Sequence, residues 1–280
     1  MADMLRRRVR LTIGEWRIED LEVAFDVVFT ADAEGNTASF EVYNLSRAKI
    51  VEAEALSRET PIDFECGYGD TLNLVYRGLL DFVETEQRSE DVVVRFVGRA
   101  GLNARAMATQ FNQSFAAGTP VRQVLALLVQ TLGIGAGNLP ELQAEFNMGG
   151  TGRSFANGAA FSGPAWDSLS EMLSQAGYTV SIVNEELVVL ALDGSLKNTA
   201  ILLSPQTGMI GTPSLALETG DGASTKLLRA STIMIPGLTP GRQVSVESKF
   251  VNGLFRVTRS TYRGAWQAGE FGVDIEARRL

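Results

Sequence analysis

The sequence predicts a mainly β chain with an α/β insert, built as two similar antiparallel β-barrels flanking a helix–hairpin module. Segments rich in Val, Phe, Leu and Thr, with partial alternation, fill the first and last thirds. Helical periodicity is concentrated in the middle, after Gly101. A strand-pair pattern that begins at Gly78 returns at Gly253. The expected domains are 1–102, a first barrel, 103–195, the α/β module, and 196–280, a second barrel. A chain of 280 residues is long enough for more than one core.

In the first third the expected strands are Val9–Ile13, Leu21–Thr30, Thr37–Tyr43, Pro61–Gly67, Leu72–Glu86 and Asp91–Gly98. Glu34-Gly35-Asn36, Gly67-Tyr68-Gly69-Asp70 and Arg88-Ser89-Glu90 separate them as turns. One helix interrupts, from Ser46 to Leu56, capped by Ser46 and placing Ile50, Ala53 and Leu56 on one face.

In the middle, Thr119 reads as an N-cap and Pro120 as a first-turn residue, followed by an apolar face of Val121, Val124, Leu125, Leu128 and Leu132 that Gly133 ends. A second helix starts near Pro164, with Trp166, Leu169, Leu173 and Ala176 inward and Gly177 as its stop. Trp166 at this spacing reads as core rather than as a recognition aromatic. A hairpin, Tyr178–Val183 and Leu187–Leu192, follows through Asn184-Glu185. The last third returns to β in Ala200–Leu203, Thr225–Ile235, Gln243–Lys249, Leu254–Tyr262 and Glu270–Ala277. Gly78-Leu79-Leu80-Asp81-Phe82-Val83, returning through Val94 to Arg99, matches Gly253 to Thr258, returning through Val273 to Arg278. Two antiparallel hairpins of any origin look somewhat alike. If the repeat is real, three such chains in a ring present six barrel-like units.

Composition excludes more than it assigns. Hydrophobic residues are 45% and charged residues 21% of the chain, as in packed proteins. The longest apolar stretches, Val124 to Val129 and Leu187 to Leu192, fall far short of the roughly 20 residues of a membrane span. MADMLRRRVRL carries no apolar run after its arginines, so no secretory signal is expected. A single cysteine, Cys66, allows no internal disulfide and fits synthesis in a reducing cytoplasm. The net charge of −8 argues against general nucleic-acid binding. Arg6, Arg7, Arg8 and Arg10 are the local exception, read as solvated residues on a strand whose Val9, Leu11 and Ile13 face inward; a phosphate patch is the alternative.

The chain has no histidine. That removes the imidazole base, the Ser-His-Asp and Cys-His sites and His-ligated metals, and one cysteine builds no thiolate metal site. No catalytic, cofactor-binding or metal-binding residue is therefore expected. A carboxylate-only hydrolase is the remaining enzymatic reading, with Glu84/Glu86 and Glu185/Glu186 as its candidate pairs. The first pair reads more simply as a solvated strand face and the second as a hairpin turn. Gly133-Ile-Gly135-Ala-Gly137 follows a helix instead of opening one, and Gly149 to Gly163 has no nearby Lys, so both read as loops rather than phosphate cradles.

Phe40-Glu41-Val42-Tyr43-Asn44-Leu45-Ser46 resembles the strand-then-helix signature of tail hub and tube-like β-barrels. Gly163-Pro164-Ala165-Trp166-Asp167 through Gly177-Tyr178, with the hairpin after it, is similar to the helix–hairpin module of such hubs. Leu203 to Pro213, Ile235 to Gly241, Val244-Ser245-Val246, Asn252-Gly253 and Tyr262-Arg263-Gly264 resemble their second barrel in order and spacing. Many relatives carry His then Gly-Asp where this chain has Tyr262-Arg263-Gly264. The resemblance, which covers nearly the whole chain, is to the late control protein D-like baseplate hubs of contractile-tailed phages.

It implies tube-like barrels in a homotrimeric virion component, assembled in the host bacterial cytoplasm, with a structural role. The implied partners are the hexameric tail tube or a tube initiator, the central spike and the tape-measure protein. DNA is implied only in passage through the lumen, and the chain inserts in no membrane of its own. A lumen wall mainly of Asp and Glu would keep DNA from sticking. A hub of a phage-tail-like bacteriocin or contractile secretion device has the same signature.

Overall fold

Period-two burial builds the first strands: Val9, Leu11 and Ile13 are buried, and Arg10 and Thr12 between them are not. The computed structural model describes residues 6–31, 36–100, 109–142, 154–191, 194–196, 199–220, 223–267 and 269–280. In chain order the first part comprises β1 (Arg7–Ile13), β2 (Trp16–Ile18), β3 (Val23–Thr30), β4 (Asn36–Tyr43), α1 (Arg47–Glu54), β5 (Pro61–Tyr68), β6 (Asn73–Arg88) and β7 (Asp91–Ala100). The middle comprises β8 (Gln113–Phe115), α2 (Val121–Leu132), α3 (Leu139–Leu142), β9 (Ala159–Phe161), α4 (Ala165–Gln175), β10 (Tyr178–Val183) and β11 (Glu186–Ala191). The last part comprises β12 (Ile201–Leu203), β13 (Met209–Gly220), β14 (Ala223–Ile233), β15 (Gln243–Glu247), β16 (Asn252–Ala265) and β17 (Phe271–Arg279).

Two compact units result, one of residues 1–100 with 197–280 and one of residues 101–196. The chain is mostly strand with a few helices, as the residue pattern predicts.

In the first unit, 13 strands share one sheet of order β13-β14-β17-β16-β3-β4-β7-β6-β5-β1-β2, with β15 on β16 and a parallel β12 on β15. The first and last β thirds are joined where β16 pairs with β3, from Arg259↔Thr30 to Ala265↔Ala24. Among the described residues no ladder links β2 to β13, so hydrogen bonding does not close the sheet.

Aromatic residues fill the inner side. Phe64 lies 4.5 Å from Phe25 and 4.9 Å from Phe40 between ring centroids, and Phe29 meets Tyr262 edge-on at 5.8 Å. Gly264 permits this packing, since a Cβ there would stand 2.7 Å from the Phe25 ring and 2.8 Å from that of Phe271. Tyr262 is buried, and its hydroxyl accepts the Leu238 N–H at 2.9 Å. Desolvation pushes its phenol well above the ordinary range, so it stays neutral. Cys66 is buried in the same interior, and burial pushes its thiol up.

The basic N-terminal strand is accounted for within this unit. Arg7 donates to the Ala265 and Gly269 carbonyls at 3.1 and 2.8 Å, Arg8 lies 3.8 Å from Asp70, and Arg10 pairs with Glu19 and with Glu65 at 2.9 Å. These partners favour the solvated-strand reading over a phosphate patch.

The Tyr43-Asn44-Leu45-Ser46 motif is a turn and cap device. Asn44 takes left-handed backbone (φ 57°), accepts the Val92 N–H at 3.2 Å and donates to Asp91 at 2.8 Å, while Ser46 accepts the Lys49 N–H at 3.4 Å. Asn44→Ala loses both side-chain bonds and forces an alanine into that backbone. It should lower stability by about 1–3 kcal/mol in denaturant titration. Asn44→Gly, which keeps the backbone, should cost less.

The second unit packs α2 and α4 against the β10–β11 hairpin around Val124, Leu125, Leu128, Leu169, Leu173 and Leu187. Trp166 is 8% exposed in this cluster, as core. Pro120, not Thr119, occupies the cap position of α2; the Thr119 hydroxyl donates instead to the Ala116 carbonyl at 2.8 Å. Gly133 (φ 69°) ends α2 and Gly177 (φ 83°) follows α4. Asn184 and Glu185, both at positive φ, make the tight hairpin turn. Asn138 supplements the hairpin edge, donating to the Val189 carbonyl at 2.7 Å and accepting its N–H at 2.8 Å. Of the Gly149–Gly163 loop, residues 149–153 lie outside the described residues, and Ala159–Phe161 form β9 against β8.

Candidate functional surface

Strand alternation puts the aromatic core on one side of the large sheet and a polar face on the other. That face runs across β14, β17, β16, β3, β4, β7 and β6. Acids stand on it, among them Asp26, Glu41, Glu84, Glu86, Asp274 and Glu276, interleaved with arginines, among them Arg77, Arg88, Arg95, Arg99, Arg229, Arg256, Arg259, Arg263 and Arg278.

Register makes most of these charges cross-strand neighbours. Arg229 meets Glu276 at 3.0 Å, Arg263 meets Asp26 at 2.7 Å and Asp274 at 3.6 Å, and Arg95 meets Glu84 at 3.6 Å. Arg88 grips Glu41 with two bonds of 2.8 Å. Short residues fill the intervals: Ala24, Thr37, Ser39, Ser231 and Thr261. The result is two shallow hollows on one face. One of about 340 Å³ is lined by Thr212, Ser214, Arg229, Arg259, Arg263 and Asp274; the other, of about 500 Å³, by Asp26, Ser39, Glu41 and Arg95.

Of the two carboxylate pairs considered for hydrolysis, one stands on this face and the other in the second unit. Glu84 and Glu86 project along β6 in ion pairs with Arg95 and with Arg88 at 2.9 Å, and Glu185 and Glu186 form the tip of the β10–β11 hairpin. Neither pair lines the two hollows. Among the described residues no group of three or more His, Cys, Asp or Glu gathers as metal ligands, and no described helix is long and apolar enough to cross a membrane.

The Arg88 fork holds the Glu41 carboxyl below its ordinary range, and Arg10 and then Arg17 do the same for Glu19. A carboxyl lowered in the folded state stabilises above its unfolded value, and that stability is lost as pH falls through the lowered one. The melting temperature should therefore begin to fall near pH 4.5, the ordinary Glu value, and continue down below it. Glu41→Gln should flatten part of that fall, read by thermal melts from neutrality into acid.

No family model matches the sequence, and no curated protein matches it. Solved structures do. A tail protein from Neisseria meningitidis superimposes with a TM-score of 0.62 at 9% identity, over 98% of this chain and 96% of that one. The 43 kDa tail protein of prophage MuSo2 from Shewanella oneidensis gives 0.61 at 11% identity, over 98% of both chains. The E. coli c3393 protein, a component of the type VI secretion system with structural similarity to T4 tail proteins gp27 and gp5, gives 0.57 at 11% identity, over 96% of this chain and 76% of that one. The chain thus has the fold of phage tail and secretion-system spike-related proteins along almost its whole length.

Proposed function

We propose that this protein is the structural hub of a phage baseplate, of the late control protein D-like type, a homotrimeric adaptor between the hexameric tail tube and the trimeric spike. The supporting observation is one sheet that runs unbroken through the first and last β parts of the chain and carries one polar face. Three copies would set six β lobes around an axis, matching a sixfold tube from threefold symmetry.

On this reading the polar face lines the channel through which tape-measure protein and DNA pass. Its acids are interleaved with arginines on every side, so the wall is not mainly acidic. Most of its guanidiniums already hold carboxylates, which leaves little free positive charge for phosphate. The role is structural; the neighbours are tail structural proteins.

A second reading, the hub of a secretion device or phage-tail-like bacteriocin, is favoured by the similarity to the type VI component and to the Francisella PdpA-VgrG complex, which gives a TM-score of 0.59 at 8% identity over 98% of this chain and 58% of that one. The neighbouring genes would separate the two readings.

The test is the solution mass of the chain by light scattering at several concentrations, alone and with its neighbouring spike protein. A trimer in either condition supports the hub. A monomer indifferent to the spike overturns it. Clearing of purified cell wall, abolished by changing Glu84 or Glu86, would revive the hydrolase.

A further inference from the structure

Strand β1 carries one arginine against its pattern. Arg7 is in phase with the buried Val9, Leu11 and Ile13, so period two turns it to the inner side of the sheet, whereas Arg8 and Arg10 alternate outward. A half-buried guanidinium on that side needs acceptors. Arg7 finds them at the β16–β17 turn. It donates to the Ala265 and Gly269 carbonyls at 3.1 and 2.8 Å, and its charge lies 5.1 Å from the centre of the Phe271 ring.

Tyr68, the register partner of Arg7 on β5, reaches the same place. Its hydroxyl donates to the Phe271 carbonyl at 3.4 Å and accepts the Met234 N–H at 3.2 Å, and its ring meets that of Phe271 edge-on at 5.4 Å. These contacts bring the β2-β1-β5 end of the large sheet against the β16–β17 turn, although β3, β4, β7 and β6 separate the two along the sheet. Among the described residues no backbone–backbone hydrogen bond crosses between them. The strands in between are joined by continuous ladders. The sheet is thus rolled shut and held along one seam by side chains.

We propose that this seam is a latch: in the folded protein the β2-β1-β5 end swings away from the β16–β17 turn as a flap, and Arg7 sets how often. Parting any other pair of these strands breaks a row of backbone bonds, whereas parting the seam gives up a few side-chain bonds and the Tyr68–Phe271 contact. The packing of Phe64 on Phe25 and Phe40 lies deeper and limits the swing. The ladders from β14 to β6, which carry the polar face, stay whole, so one end of the sheet yields while that face holds its shape. Spanning two carbonyls needs the rigid fork of arginine, which the point charge of a lysine does not match. The latch is independent of the hub reading.

Cys66, the single thiol of the chain, reports on the seam. It is fully buried on β5, the register partner of Val9, two residues before Tyr68 and turned to the same inner side. The experiment is its labelling by the disulfide reagent DTNB in the full chain, followed over urea concentrations below the unfolding transition. Labelling through the flap should be slow and nearly independent of urea, because little surface is exposed; labelling through unfolding follows the full slope of a denaturant titration. Arg7→Met keeps the apolar stem and removes both donors, and it should raise the urea-independent rate about 10-fold to 100-fold. Arg7→Lys should fall between. Arg8→Met, which removes the exposed pair with Asp70, should stay within about twofold of the wild type. Far-UV circular dichroism checks folding, and Tyr68→Phe, which loses both hydroxyl bonds, carries the same test with a rise of about tenfold. A wild-type rate with the full unfolding slope at every urea concentration overturns the flap. A urea-independent rate that Arg7→Met and Tyr68→Phe leave unchanged means Cys66 is reached by another route, and overturns the latch. An equal rise in Arg8→Met and Arg7→Met overturns the assignment to Arg7.

Discussion

Phe64→Ala is expected to lower stability by about 3–5 kcal/mol, among the largest effects of a single substitution in the large sheet. Phe64 is fully buried on β5, and its ring lies within 5 Å, centroid to centroid, of both Phe25 and Phe40. Truncation therefore removes apolar burial and two aromatic contacts, and it leaves a cavity walled by rings that cannot collapse onto one another. Its strand neighbours Leu11 and Tyr76 are also fully buried, so no solvent-side motion relieves the void. The measurement is a denaturant titration, where the midpoint should fall and the slope hold. Phe64→Leu keeps most of the volume and should cost about 1 kcal/mol. Phe82→Ala is the control: Phe82 is 45% exposed on the polar face, and its loss should stay within about 0.5 kcal/mol. A small effect at Phe64 with a large one at Phe82 would mean the two sides of the sheet had been assigned in reverse.

That assignment was legible because period-two alternation is a local signal. Val23, Phe25, Val27 and Phe29 announce the inward side of β3 in the sequence itself. The longest strand missed was β13, over Met209–Gly220, and the three-residue β2, β8 and β9 were missed as well. Gly208, Gly211 and Pro213 read as punctuation, yet the register shift between Ile210 and Ser214 absorbs them and pairing with β14 resumes beyond. The helix expected from Ser46 to Leu56 formed as α1, but the apolar face read for it buries only Ala53. A periodicity of two or three residues in one turn states an orientation and does not say whether anything lies there to receive it.

The polar face was hidden for a different reason. Asp26 and Arg263 are 237 residues apart in the chain and touch only because β16 pairs with β3. Read one at a time, Glu84, Glu86 and Arg95 were solvated charges on strands; only the register turns them into cross-strand pairs on one surface. Pairing between distant strands leaves no trace in a single sequence. The absence of imidazole chemistry and of thiolate metal sites needed no register at all, since a chain without histidine and with one cysteine declares it in its composition.

In the second unit, Leu169→Ala should cost about 2–5 kcal/mol, and the loss should fall on that unit. Leu169 is fully buried on α4 within the cluster shared with Val124, Leu125 and Leu128 of α2 and with Leu187 of the hairpin. The cluster is built from residues of 101–196, and the aromatic core of the sheet is built from the other unit. Two cores of separate residues need not lose their packing together. Leu169→Ala should therefore weaken hydrogen-exchange protection across α2, α4 and β10–β11 while β3, β4 and β7 keep theirs. Phe64→Ala should do the opposite. If Leu169→Ala lowers protection equally in both sets, the two units unfold as one, and the helix–hairpin module is an integral part of the fold rather than a separately folded insert.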